Sequence, residues 1–161
     1  MTISSLWSVL DEAGCGTPVG IEEFHLRGSG KRKCDDVRQS ILAVDLSIWI
    51  CEGIASTALS SFHSDPALHL VYQRTTKLLK LGLGLVFVVE GKRRVRVSSS
   101  QSHTLKQRSG SQFWRASERC VELLRLLGVP VVHAEAEGEA LCSLLNAQGF
   151  VDGVISNDGD W

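Results

Sequence analysis

The chain predicts an α/β fold, a mostly parallel sheet flanked by helices, on three observations. Short apolar runs recur along its 161 residues, segments with helical spacing separate them, and glycines mark the joins. Strands that alternate with helices pair in parallel through crossovers, and such a sheet is buried on its faces. Hydrophobic residues at 43% and charged residues at 22% describe one folded domain, which excludes a disordered chain or a repeat array.

Ile3, Leu6, Trp7 and Leu10 fall at i, i+3, i+4 and i+7, so the chain is expected to open with an amphipathic helix begun by Thr2 or Ser4. Gly14 and Gly16 stop it. Residues 17 to 40 mix glycine, serine and charge without apolar periodicity and read as a surface loop. The run ILAV ending at Asp45 is a buried strand, and LSIWICEGIA after it has helical spacing. Pro66 suits a first helical turn, and Leu68, Val71, Thr75, Leu78 and Leu79 form one apolar face before Gly82 and Gly84. LVFVVE is a second strand ending at Glu90. The basic, serine-rich stretch from Gly91 to Gly110 has too little apolar content to pack and reads as an insert. Phe113, Ala116, Cys120, Leu124 and Leu127 define the next helix, and Val129 to His133 the third strand. Leu141, Leu144 and Leu145 mark a helix ended by Gly149, and Val151 to Ser156 is the fourth strand.

No apolar stretch approaches the roughly 20 residues of a membrane span, and no basic start precedes an apolar core, so a soluble, unsecreted protein is expected. Five cysteines without a CxxC pair suggest neither a disulfide framework nor a zinc knuckle, which fits a reducing compartment. Cys51, Cys120 and Cys142 read as buried small hydrophobes, and His69 and His133 as packing or surface residues. Gly28-Ser29-Gly30-Lys31 has neither the spacing nor the preceding strand of a phosphate loop.

Ligands of an open parallel sheet bind outside the carboxyl ends of its strands, and here every strand is followed by acid. Strand one ends in Asp45 and strand two in Glu90. Strand three leads into Glu135, Glu137 and Glu139, and strand four into Asp158 and Asp160. Taken singly, each has an ordinary explanation: Asp45 as a helix cap, Glu137 and Glu139 as acids at a helix N-terminus, Asn157-Asp158-Gly159-Asp160 as a turn. Four elements with acids at the same end favour a functional reading. Crowded carboxylates repel unless divalent cations neutralise them, and an all-oxygen site suits Mg²⁺ or Mn²⁺. Two such ions can activate a water and stabilise the leaving oxygen of a phosphodiester.

The formal net charge of -1 conceals a division. From Lys92 to Arg119 the basic residues Lys92, Arg93, Arg94, Arg96, Lys106, Arg108, Arg115 and Arg119 face Glu118 alone, whereas from Cys120 onward Arg125 alone opposes seven acids. A basic stretch beside a carboxylate cluster would bring a polyanion to an otherwise repulsive edge, which points to nucleic acid. A solvated loop or a nuclear-import signal would use the same residues.

LAVDLSIWICE around Asp45, LVFVVEG around Glu90, LLGVPVVHAEAEGEALC around Glu137 and Glu139, and LNAQGFVDGVISNDGD ending at Asp160 together resemble the XPG/flap-endonuclease superfamily. Glu at position 90 and the Val-Asp-Gly before the last motif resemble its GEN branch, the Holliday-junction resolvases. That resemblance implies a PIN-like nuclease core with Asp45, Glu90, Glu137, Glu139, Asp158 and Asp160 as catalytic ligands of two Mg²⁺ ions, with Mn²⁺ able to substitute. It also implies DNA contacts from Arg74 and from a basic arch carrying Lys92, Arg93, Arg94, Arg96, Lys106 and Arg108. The expected organisation is a single partial nuclease domain: an N-terminal region 1–91, an arch-like insert 92–110 and the start of an internal region 111–161.

Thr2 departs from the family's Met-Gly start. The family continues past its last motif with a further metal-binding Asp and a helix-two-turn-helix module, so a chain ending at Trp161 is expected to be a poor nuclease alone. The leading expectation is a Mg²⁺-dependent, structure-selective endonuclease acting on branched DNA in the nucleus, on four-way junctions or 5′ flaps, with dimerisation on DNA left open. Flap cleavage is the alternative within the class. A non-catalytic DNA-binding remnant and a small-molecule phosphohydrolase are alternatives from other classes, the last disfavoured by the basic segment.

Overall fold

The computed structural model describes residues 12–14, 16, 19–21, 23, 24, 39–56, 63–91 and 106–156, with the side chains of 106–111 excepted. Most of the expected opening helix, begun by Thr2 or Ser4 and stopped by Gly14 and Gly16, lies outside them, but Glu12 is helical and Gly14 takes a positive φ of 64°. Strand β1 (Ile41–Asp45) passes directly into helix α1 (Leu46–Ala55). Helix α2 (Pro66–Lys80) returns the chain to β2 (Gly84–Val89), and α3 (Lys106–Leu126) leads to β3 (Val131–His133). Helix α4 (Gly138–Ala147) and β4 (Gly153–Ile155) follow. No helix among the described residues is long and apolar enough to cross a membrane.

The four strands are all parallel and lie in the order β3-β2-β1-β4. The chain therefore steps outward from β1 to β3, then crosses back to place β4 on the other side of β1. This reversal beside β1 is a topological switch point, where the crevice beyond the strand ends is open to ligand.

Alternation along the strands divides the core in two. Leu42, Val44, Leu85, Phe87 and Val89 join α1, α2 and α3 in the larger cluster, while Ala43 and Val88 pack with Ala134, Cys142 and Val151 on the α4 side. Trp49 of α1 meets Phe87 edge to face, ring centroids 5.4 Å apart, which anchors α1 on the central strands. Gly53 lets α1 approach α2 closely, because a Cβ there would stand 2.5 Å from the Ala67 backbone.

Helix boundaries follow the expected chemistry. Asp65 caps α2 by accepting from the Leu68 N–H at 3.1 Å, with Pro66 in the first turn. Gly82 and Gly149 take positive φ, 82° and 75°, at the ends of α2 and α4. Several bounds differ from the sequence expectation, β3 starting at Val131 rather than Val129 and β4 spanning Gly153–Ile155 rather than Val151 to Ser156. Helix α3 starts at Lys106, inside the stretch read as an unpacked insert. Within the expected 17–40 loop, Ile21, Glu23 and Phe24 are helical, and Ile21 and Phe24 pack against the larger core. An isolated apolar pair has no period to betray it, and only tertiary packing gives it a place.

Thr75 is fully buried on α2, and its hydroxyl has no hydrogen-bond partner. An unsatisfied buried hydroxyl costs about 1–3 kcal/mol, whereas a valine of the same branching would fill the space without that cost. Thr75→Val should therefore raise the melting temperature by several degrees, at about 2–4 °C per kcal/mol for a chain of this size. Differential scanning calorimetry showing an unchanged or lowered midpoint would mean that the hydroxyl is stabilised where it stands.

Candidate functional site

Asp45 ends the central strand β1 and begins α1. As the N-cap, its Oδ1 accepts the Ser47 N–H at 2.9 Å, yet its side chain is buried, the residue being only 6% exposed. Burial raises the Asp45 carboxyl above the ordinary carboxylate range, and the hydrogen bonds from Ser47 offset only part of that rise. The cap reading thus holds for this residue, and its burial goes beyond what a surface cap requires.

Glu90 follows β2 directly and is half-buried. The next residue ties this strand end to that of β3: the Gly91 N–H donates to the Ala136 carbonyl at 2.8 Å. A Cβ at Gly91 would lie 2.3 Å from the Ala134 carbonyl oxygen and 2.4 Å from that of Glu135, so only glycine allows this approach. The segment bearing Glu135 and Glu137 is thereby held against the exit of β2.

Glu137 is the N-cap of α4 and makes no side-chain cap hydrogen bond, and Glu139 lies in the helix's first turn. Both are exposed. Between them Gly138 is buried, and a Cβ there would lie 3.3 Å from Asp45 Oδ1. The positive end of α4 therefore meets the buried carboxylate of β1.

Two cysteines register the field of these acids. Burial pushes the Cys51 thiol up, with Glu90 and then Asp45 adding to the rise. Burial pushes Cys142 to about 12, with Asp45 and then Glu139 adding. Asp45 and Glu90 thus both bear on the Cys51 thiol, and Asp45 and Glu139 both bear on that of Cys142. Cys120 and Cys142 are buried as the sequence predicts, but Cys51 is exposed, because it lies on the carboxylate side of α1 rather than beneath the sheet.

This donor set fits hard divalent cations: it is all oxygen, it comes from three strand ends, and one member is desolvated. Among the described residues, however, no three His, Cys, Asp or Glu side chains stand close enough to hold an ion. Asp158 and Asp160 lie outside the described residues, as do Lys92, Arg93, Arg94 and Arg96. Lys106 and Arg108 fall in the first turn of α3, where side chains are not described.

Arg74 lies on α2, its guanidinium 5.4 Å from the centre of the Trp49 ring. It forms a bidentate pair with Glu52, at 2.7 and 2.6 Å. Sequence reasoning missed this pairing, since 22 residues separate the partners and no periodicity joins two helices. It also missed the part played by Asp152. That carboxylate accepts the Ile41 N–H at 2.8 Å while its own N–H donates to the Ile41 carbonyl at 2.7 Å, which fixes β4 beside the start of β1. His133 is exposed, and His69 stacks on His63, consistent with neither being a buried ligand.

The XPG I-region family model matches residues 128–161, which include the Glu137 and Glu139 segment and the end of the fourth motif. The chain is 33% identical over 172 aligned residues to flap endonuclease GEN homolog 1 of mouse, covering 99% of this chain but 17% of that relative. The fold superposes on human GEN1 solved with Holliday junction DNA at a TM-score of 0.73 and 30% identity, covering 97% of this chain and 37% of the other. A Holliday junction-resolving enzyme GEN1 solved with product DNA and Mg²⁺ matches at a TM-score of 0.58 and 25% identity, with 91% of this chain and 30% of that one covered. The chain thus spans less than a fifth of the mouse relative's length. With four acidic motifs in the order of the family, on the family's fold, this chain belongs to the XPG/flap-endonuclease superfamily, in its GEN branch.

Proposed function

We propose that the chain carries the catalytic carboxylates of a divalent-metal-dependent, structure-selective DNA endonuclease of nuclear repair or recombination, which hydrolyses phosphodiesters at branched DNA. The observation that carries this reading is the buried Asp45 carboxylate, which ends the central strand of a GEN-branch fold beside the first turn of α4. Four-way junctions are the favoured substrate, because human GEN1 with Holliday junction DNA is matched over almost the whole chain. The 5′ flap is the second substrate, supported by the name of the mouse relative.

Asp45, Glu90, Glu137 and Glu139 would hold the cations, with Asp158 and Asp160 completing the set. Bound there, two ions would supply an activated water and charge neutralisation at the phosphate and the leaving oxygen. The chain's own residues do the positioning. Asp45 is fixed by the Ser47 N–H and walled by Gly138, so its carboxylate cannot swing away. Gly91 locks the exits of β2 and β3 together, which sets the spacing of Glu90 from Glu137 and Glu139. Arg74 would offer its charge to a phosphate in exchange for Glu52, a half-exposed pair of the kind worth no more than about 1 kcal/mol. Lys92, Arg93, Arg94, Arg96, Lys106 and Arg108 would neutralise backbone phosphates without reading bases.

Asp45→Asn keeps the helix cap and removes the buried charge. Junction cleavage should fall by at least about a hundredfold, the scale of losing one preorganised charge-stabilising group, while junction binding in Ca²⁺ stays within a few-fold. Without metal the variant should melt higher than the parent near neutral pH. The sign follows from the raised pKa: stability from the protonated carboxyl is complete below the ordinary carboxylate range and is lost as pH rises through the raised folded value. Added Mg²⁺ should stabilise the parent and not the variant. Equal melting of both proteins, with and without Mg²⁺, would remove Asp45 from the metal site.

Replacing Lys92, Arg93, Arg94 and Arg96 by alanine should flatten the slope of log affinity against log salt by up to about four units, each phosphate contact contributing about 0.9 on duplex DNA. An unchanged slope in a salt titration would return these residues to a solvated loop.

A further inference from the structure

Beside the carboxylates lies a cavity that the two-metal reading does not use. It has a volume of about 690 Å³ and opens between the ends of β2 and β3 and one face of α3. Ligand pockets commonly measure about 300–1,000 Å³. Its floor is Val89, Val121 and Ala134, all nearly inaccessible, and Trp114 forms an aromatic wall. Trp114, Ser117, Glu118, Val121, Glu122 and Arg125 follow one another at helical spacing, so a single face of α3 builds that side. Glu90 stands at the other side, shared with the catalytic carboxylates.

The lining decides what could enter. Glu90, Glu118 and Glu122 oppose Arg125 alone among the fully charged groups, with His133 at the rim, so a phosphate would be repelled. A flat, uncharged ring would stack on Trp114, bury against the valines and donate exocyclic amino protons to the carboxylates. A nucleobase has that chemistry, and carboxylate side chains accept from the cytosine N4 amino group. Sharing Glu90 means that the occupant belongs to a nucleotide close to the phosphodiester held at the acids.

We infer that the Trp114 cavity is a nucleobase subsite, which takes one unstacked, amino-bearing base from the strand being cut while the adjacent phosphate lies at Asp45 and Glu90. The inference rests on the endonuclease reading and adds to it a place for a base that leaves the duplex at the branch point. An extruded base is held in this way elsewhere, by stacking and by hydrogen bonds to its edge. Flexible or branched DNA gives up such a base at lower cost than an intact duplex, so the subsite would favour branch points over uniform helix.

The test is an abasic scan on the full chain. A single abasic nucleotide is walked along the strand through the centre of a four-way junction, and binding is read by fluorescence anisotropy in Ca²⁺. One position beside the branch should lose about 5- to 150-fold in affinity, the range expected for removing one stacked base. Thymine in place of cytosine at that position should also weaken binding. In Trp114→Leu, which keeps an apolar side chain of good helix propensity, the penalty at that position should vanish while the other positions behave as in the parent. Trp114→Phe should restore it. Junction binding with the same abasic profile in the parent and Trp114→Leu would overturn the subsite and leave the endonuclease reading intact. Failure of the parent to bind any junction in preference to duplex would overturn both.

Discussion

A buried carboxylate at the end of the central strand sets the terms for the rest of the structure. Asp45 belongs to β1, which pairs with β2 on one side and β4 on the other, so its position is fixed by two ladders. It also begins α1 and lies beneath the N-terminus of α4. A charge in such a place is unfavourable for folding, as its raised pKa records. The fold accepts that cost with one N–H from Ser47 and the positive end of a helix, which stabilise the anion without neutralising it. A divalent cation bound as proposed would offset what remains uncompensated, which would account for a group unfavourable to folding at the end of the central strand.

Close backbone approaches hold together the segments that carry the remaining acids. Gly91 and Gly138 are the two points where strand exits come within touching distance, and each stands beside a glutamate that it helps to aim. A side chain at either position would force the exits of β2 and β3, or β1 and α4, apart. Separation by even one ångström would matter if these acids hold reacting groups in register, as proposed. The glutamates at these exits, Glu90 half-buried and Glu137 and Glu139 exposed, therefore stand on backbone that two closely packed glycines hold in place.

Much of this was legible in the sequence, and the reasons are specific. The four strands and the helices between them carry strong apolar patterns, and in β1, β2 and α2 the observed bounds agree with those patterns to within a few residues. That Asp45, Glu90 and the segment leading to Glu137 leave neighbouring strands at one edge followed from parallel topology alone, because that topology gathers strand ends. Contacts between distant elements were not legible. The fork between Arg74 and Glu52, the double hydrogen bond of Asp152 with Ile41, and the seating of Ile21 and Phe24 depend on packing that leaves no local period. The start of α3 was missed for a different reason. Lys106 to Gly110 has the composition of a loop, and helix there is propagated backward from the apolar face that begins at Phe113.

Helix α3 also resolves the tension between a basic middle and an acidic end in the sequence. Among its described charges, Arg125 apart, sign follows the face of the helix rather than position along the chain. Arg119 turns toward Asp65 at the start of α2, with an N–O distance of 2.8 Å, and Arg115 lines the same side. Glu118 and Glu122 turn with Trp114 toward the cavity beside Glu90. A polyanion approaching this surface would meet attraction and repulsion on opposite sides of a single helix. Phosphates would be drawn along the basic side and turned away from the Trp114 cavity, whose proposed occupant is an uncharged part of the strand, the base. Discrimination between backbone and base then follows from the helical period of α3, without any motif that reads sequence.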